Sequence, residues 1–242
     1  MTSEIVRPSR EAVRAFAERL GFDPASPRLA AALTHKSAAA SVSESSERLE
    51  FLGDALVGAF VARFLLDALP PDTDEGTLSR ARVAIIRRET LALAAQGIGV
   101  PDLLVVGNGE RRAGRHTHDG LLADAYEALV GALFLDHGEA ATQQFLRETL
   151  AGPLAAVAAA PPAPDAKTTL QMRLQSEGKG LPRYRTISEE GGGHDHQFTV
   201  EVLDTAGAVL GRGVGVTKRA AQTEAARSAL APSPARSPAT PE

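Results

Sequence analysis

Between residues 10 and 150, apolar side chains recur every three or four positions, the period of an amphipathic helix, and no stretch alternates convincingly as a half-buried strand would. Val13, Phe16, Ala17 and Leu20 form the first stripe. Ser26-Pro27 pairs a capping residue with proline at the first helical position, which opens a second helix. Leu49, Leu52 and Leu56 share one face of a helix predicted over 47–69, which Pro70-Pro71 stops. Thr77 is placed to cap a further helix that runs to residue 95. A loop with Gly107, Gly109 and Gly114 precedes another helix, on which Leu122, Tyr126, Leu129 and Leu133 lie on one side. A last helix is expected over 139–150, so residues 10–152 read as an all-α domain.

After this the pattern changes. Residues 153–164, ending in Ala-Pro-Pro-Ala-Pro, read as a semi-rigid linker. Over 165–231 a short helix is followed by three strand-like runs. In the second, Phe198, Val200 and Val202 alternate with Thr199 and Glu201. An Ala-rich helix from Thr217 closes a small α+β module of order α-β-β-β-α. The tail, 232–242, has no apolar residues to build a core and is expected to be disordered.

The polar faces carry the chemistry. Glu47, Glu50 and Asp54 stand at i, i+3 and i+7, one stripe of a helix, and Asp124 and Glu127 repeat the arrangement on another. Like charges stacked this way cost helix stability. Each stripe has a nearby glycine, Gly53 or Gly131, which also weakens a helix, by about 1 kcal/mol against alanine. Two such glycines at matching places imply two helices in close approach, with Glu50, Asp54, Asp124 and Glu127 converging. Four carboxylates suit a hard cation, Mg²⁺ with Mn²⁺ as a substitute, and the matching chemistry is phosphodiester hydrolysis. The competing reading is that both stripes are solvated surface.

Composition narrows the choice. The 242 residues contain no cysteine, which excludes disulfides, thiolate zinc sites and thiol nucleophiles. No apolar run is long enough for a membrane span or a signal core, and nothing points to a small-molecule cofactor, so a cytoplasmic protein is expected. Aromatic residues are 4% of the chain, too few for recognition built on stacking unpaired bases. Net charge is −4, unusual for a nucleic-acid binder. The acidic excess is local: residues 165–230 hold nine Lys/Arg and eight Asp/Glu, leaving 17 of the 26 basic and 22 of the 30 acidic residues elsewhere. Bound cations would offset that excess.

Glu47-Arg48-Leu49-Glu50-Phe51-Leu52-Gly53-Asp54 resembles the signature of the ribonuclease III family of double-strand-specific RNA endonucleases. Leu122-Ala123-Asp124 with Glu127-Ala128-Leu129 and Gly131 resembles its second acidic motif, Thr34-His35-Lys36-Ser37 an upstream motif, and Asp74-Glu75-Gly76 an acidic turn. The resemblance implies a homodimer in which Asp54 and Glu127 are catalytic. Glu50, Asp124 and Glu127 would ligate the metal, with Glu47 and Glu75 as accessory acids. Phe51 would pack into the partner subunit; the other reading of Phe51 is a core residue of its own subunit. Cleavage of double-stranded RNA to short 3′ overhangs, in precursor ribosomal RNA and structured messages, is the implied activity.

Residues 165–231 are similar to the double-stranded-RNA-binding domain, with Gln171, Gln175, His194, Lys218 and Arg219 facing RNA. Lys218 and Arg219 open a helix where the macrodipole disfavours cations, a conflict that a bound phosphate resolves. Three positions depart from the family: Ser46 stands before the signature as a cap, Met172 and Ala221 replace glutamates that would meet RNA. Two rivals remain. One is a metal phosphohydrolase built on His35, His116, His118 and Asp119; the other is a non-catalytic double-stranded-RNA-binding protein on the same fold.

Overall fold

The computed structural model describes residues 5–114, 117–191 and 196–231. The chain divides into two compact units between Pro162 and Ala163. The first is helical: α1 (Arg10–Leu20), α2 (Pro27–Ala32), α3 (Glu47–Ala68), α4 (Glu75–Ile86), α5 (Arg88–Gly97), α6 (Asn108–Arg112), α7 (Asp119–Thr149) and α8 (Ala151–Ala159). Helix α7 is the central element, and Leu122, Tyr126, Leu129 and Leu133 on it are almost completely buried.

Helices α3 and α7 cross in close contact. A methyl group at Gly53 would fall on the backbone carbonyl of Glu127, and one at Gly131 on the carbonyl of Leu49. The two glycines are therefore reciprocal, each making room for the other helix's backbone. This also redraws the buried face of α3. Its stripe is Leu49, Gly53, Val57, Val61 and Leu65, spaced by four, whereas Leu52 and Leu56 are only half-buried. An i+4 row through a glycine is a packing ridge that a search for large apolar residues passes over.

Several local expectations change with their physical reasons. Asp74, not Thr77, caps α4: its Oδ1 accepts the Thr77 N–H at 3.0 Å, which makes Thr77 the third residue of the helix. The expected single helix to residue 95 breaks at Arg87, whose ψ is 150°. Thr90 is buried in the corner, its hydroxyl bonded to the Ala84 carbonyl at 3.3 Å, and α5 turns to pack Leu91, Ala92 and Ala95 into the core. Ser46 makes no side-chain cap to α3; it is buried, and its N–H donates to the Thr34 carbonyl at 2.9 Å. Ser26 does cap α2, accepting the N–H groups of Arg28 and Leu29. Gly138, at φ 78° and ψ −170°, kinks α7, so the segment from Glu139 turns away as a separate length of helix. Part of the expected linker is helical: α8 buries Leu154 and Val157.

The second unit contains α9 (Ala166–Ser176), β1 (Arg183–Glu190), β2 (Gln197–Leu203), β3 (Val209–Gly215) and α10 (Lys218–Leu230). The sheet is antiparallel in the order β1-β2-β3. Leu170 and Leu174 of α9 meet Val200, Val202 and the alanines of α10 in its core. Alternate glycines Gly211, Gly213 and Gly215 put bare backbone on the inner face of β3. Added methyl groups there would strike the α10 backbone at Ala225 and Ala229, at Ala221 and Ala225, and at Ala221, respectively. Ala221 is therefore fully buried, and its reading as a retuned RNA contact is overturned. Glu201 faces the other side of the sheet but is only 3% exposed. Arg185 on β1 and Arg212 on β3 cover its carboxylate at 2.7 and 2.8 Å, so the charge is paired across three strands. Among the described residues, no helix is long and apolar enough to cross a membrane. The tail expected to be disordered, 232–242, lies outside the described residues.

The crossing makes two glycines on α3 behave oppositely. Gly131→Ala or Gly53→Ala forces backbone apart and lowers stability by about 1–3 kcal/mol or more. Gly58→Ala, where the new methyl meets open space, raises stability by about 0.5–1 kcal/mol. Thermal melting of the three variants checks this; equal effects at 53 and 58 would contradict the close crossing.

Candidate metal centre

Glu50 of α3 and Asp124 and Glu127 of α7 each offer a carboxylate oxygen, and these oxygens lie within 4.8 Å of one another. The glycine crossing is what brings them together, since Gly53 abuts the backbone of Glu127 itself. All three side chains are half-buried. Asp54, one turn on from Glu50, is exposed, yet its charge raises the pKa of Glu127. A cavity of about 310 Å³ opens beside the cluster, lined by His35, Lys36, Glu47, Glu50, Leu121 and Asp124. A larger groove of about 720 Å³, lined by Leu56, Phe60, Phe64, Phe134 and Leu146, holds none of the clustered carboxylates, so size does not mark the site.

The floor of this cavity is pinned by the segment after α2. His35 N–H donates to the Val105 carbonyl at 2.9 Å and Val105 N–H to the Leu33 carbonyl at 2.8 Å. The Ser37 hydroxyl accepts the Gly107 N–H at 2.8 Å and meets His35 Nδ1 at 2.8 Å. This framework aims Lys36 at Glu47, with Nζ 2.9 Å from its carboxylate.

Crowding shows in the acidities. Burial, then repulsion from Asp54, Asp124 and Glu50, pushes Glu127 up to about 7. Glu50 rises through burial and then the charges of Asp124 and Glu47. Asp124 rises through burial, against the opposing pull of Arg88, His35 and Lys36. Arg88 was not legible in the sequence as part of this site. It enters because the helix breaks at Arg87 and α5 starts beside α7, where the Arg88 side chain lies against Gly120. The donor set is all oxygen, anionic and crowded, which a small hard divalent ion fits.

Other expected residues take different places. Glu75 is exposed on the first turn of α4, accepts the Ser79 hydroxyl at 2.8 Å and stands outside the cluster. Phe51 is 83% exposed on α3, which overturns its reading as a core residue of its own subunit. His116 lies outside the described residues; His118 and Asp119 sit at the start of α7, and no histidine joins a ligand cluster among the described residues. On the second unit, Gln171 and Gln175 are exposed one turn apart on α9. Lys218 and Arg219 are exposed at the start of α10, where Thr217 caps the helix by accepting the Ala220 N–H at 3.1 Å. His194 lies outside the described residues.

The raised acidity of Glu127 has a stability consequence. Its folded pKa lies above the unfolded value, so the folded state binds the extra proton, and stability is lost as pH rises from about 4.5 through about 7. In metal-free protein, Glu127→Gln therefore raises the melting temperature at pH 8 by a few degrees and changes it little at pH 5. An equal effect at both pH values would show that Glu127 is not under this strain.

Residues 27–154 match the family model described as Ribonuclease-III-like, and residues 166–231 that of the double-stranded RNA binding motif. The chain is 44% identical to Ribonuclease 3 of Thiobacillus denitrificans over 200 residues, covering 83% of this chain and 87% of that protein. Against Ribonuclease 3 of Roseiflexus sp. the identity is 40% over 229 residues, 91% of this chain and 95% of that one. The nuclease domain of ribonuclease III from Campylobacter jejuni is structurally similar, with a TM-score of 0.54, 29% identity and coverage of 57% of this chain and 95% of that domain.

Proposed function

The chain belongs to the ribonuclease III family of double-stranded-RNA endoribonucleases, and from that premise we propose that it hydrolyses its substrate with Mg²⁺ held by Glu50, Asp124 and Glu127. The observation that carries this is the three-carboxylate cluster, an arrangement whose mutual repulsion a divalent cation relieves. Bound there, the metal supplies a Lewis acid for the scissile phosphate and lowers the pKa of water. The side chains do the rest. Asp54, exposed next to the cluster, orients the attacking water. Glu127, the most strained of the carboxylates, serves as both ligand and catalytic residue. Lys36 and Arg88 moderate the cleft's negative charge. Glu47 is an accessory acid, and Glu75 acts from outside the cluster.

The protein works as a homodimer with one cluster per subunit, Phe51 entering the partner. Its 83% exposure, the highest of the exposed large hydrophobic residues among the described ones, supports this, as does the involvement of the related Campylobacter jejuni domain in dimer formation. Two clusters cut both strands and leave short 3′ overhangs, in precursor ribosomal RNA and structured messages of the cytoplasm. The second unit grips the duplex through Gln171, Gln175, His194, Lys218 and Arg219. Such modules read A-form shape over about 16 base pairs, largely without regard to sequence. The intact carboxylate set favours this over a non-catalytic binder.

Glu127→Gln should reduce cleavage of a long RNA duplex in Mg²⁺ by at least about a hundredfold while leaving duplex affinity nearly intact. Single-stranded RNA and duplex DNA serve as controls. Cleavage near the wild-type rate by this variant would remove Glu127 from the mechanism.

A further inference from the structure

Lys218 is held in place without RNA. It is the first residue of α10, where the positive end of the helix dipole repels a cation. Its Nζ lies 3.3 Å from Oε2 of Glu189, near the end of β1, and 5.2 Å from the centroid of the Phe198 ring. The other oxygen of Glu189 meets His196 Nε2 at 3.0 Å, and His196 stacks on the same ring at 4.6 Å between centroids. One carboxylate and one aromatic ring thus clasp both Lys218 and the residue that leads into β2. A phosphate oxygen approaching this helix start could take one of the ammonium's other protons, but it would then stand beside the Glu189 carboxylate, and the repulsion between the two anions favours binding once Glu189 lets go.

We propose that Glu189 is an internal stand-in for RNA phosphate, a positioning residue that holds Lys218 ready and releases it as the duplex binds, so that it sets the module's affinity. The proposal rests on the reading of Lys218 as an RNA contact. Exposure decides the magnitude. The Glu189 and Lys218 side chains are 46% and 58% exposed, so the pair belongs to the weak surface class. Displacing it is feasible and costs up to about fivefold in affinity. The near balance of charge in residues 165–230 fits this device: part of the basic surface is spoken for until RNA arrives.

The test is a titration of the full-length protein with an RNA duplex longer than about 16 base pairs, in EDTA so that no cleavage occurs. Glu189→Gln should tighten binding about three- to fivefold and steepen the salt dependence by up to about one counterion. Glu190→Gln makes the same change in net charge at an exposed neighbour outside the cluster and should do much less. The gain should vanish when Lys218→Ala is added. Unchanged or weaker binding by Glu189→Gln, an equal gain from Glu190→Gln, or a gain that survives without Lys218 would each overturn the inference. If Lys218→Ala alone leaves affinity unchanged, the reading of Lys218 as an RNA contact fails first, which is a separate result.

Discussion

The contact between α3 and α7 at Gly53 and Gly131 is the constraint on which the first unit depends. Neither glycine can carry even a methyl group, because each lies against a carbonyl of the other helix. Helices with side chains at the contact stay about 8–10 Å apart; removing those side chains brings the backbones closer. Glu50 lies three positions from Gly53, and Glu127 and Asp124 lie four and seven positions from Gly131, so the same approach that packs the core also presses Glu50, Asp124 and Glu127 together. Packing and chemistry are one arrangement here, with the glycines' conformational freedom as the cost.

Electrostatics opposes what packing imposes. Glu127 is pushed up to about 7, and Glu50 and Asp124 move in the same direction. Lys36, His35 and Arg88 relieve part of this, the first two delivered by the pinned segment after α2 and the third by the start of α5. The rest of the strain is what a cation at the proposed site would relieve. A cleft of this sign disfavours a polyanion, which under the proposed function leaves RNA capture to the second unit, the part that matches the double-stranded RNA binding motif. That second unit repeats the glycine device in another form: Gly211, Gly213 and Gly215 let the alanines of α10 lie on β3. The close seating sets where the start of α10, with Lys218 and Arg219, meets solvent.

Much of this was legible in the sequence, and the reasons are specific. The carboxylates at helical spacing and the two matching glycines announced the crossing, because an unfavourable choice repeated in two helices needs a common cause. The strand over Gln197–Leu203 was legible from alternation. What sequence patterns missed depends on partners distant in the chain. The break at Arg87 is accompanied by the buried Thr90 hydroxyl bonding the Ala84 carbonyl and by Leu91, Ala92 and Ala95 packing into the core, and after it Arg88 lies near Glu127. Glu201 looked solvent-facing because nothing in its own strand shows that arginines on both neighbours would cover it. Ala221 looked like a surface position because helical periodicity in an alanine-rich segment does not say which face a row of glycines will accept.

The central claim is that the crossing builds a divalent-cation site from Glu50, Asp124 and Glu127. It is tested most directly by Mn²⁺ titration of the RNA-free protein, followed by electron paramagnetic resonance of the unbound ion. The account predicts that the wild-type chain binds Mn²⁺ and that Asp124→Asn, still folded by circular dichroism, loses most of that affinity. Binding by Asp124→Asn equal to wild type would contradict it.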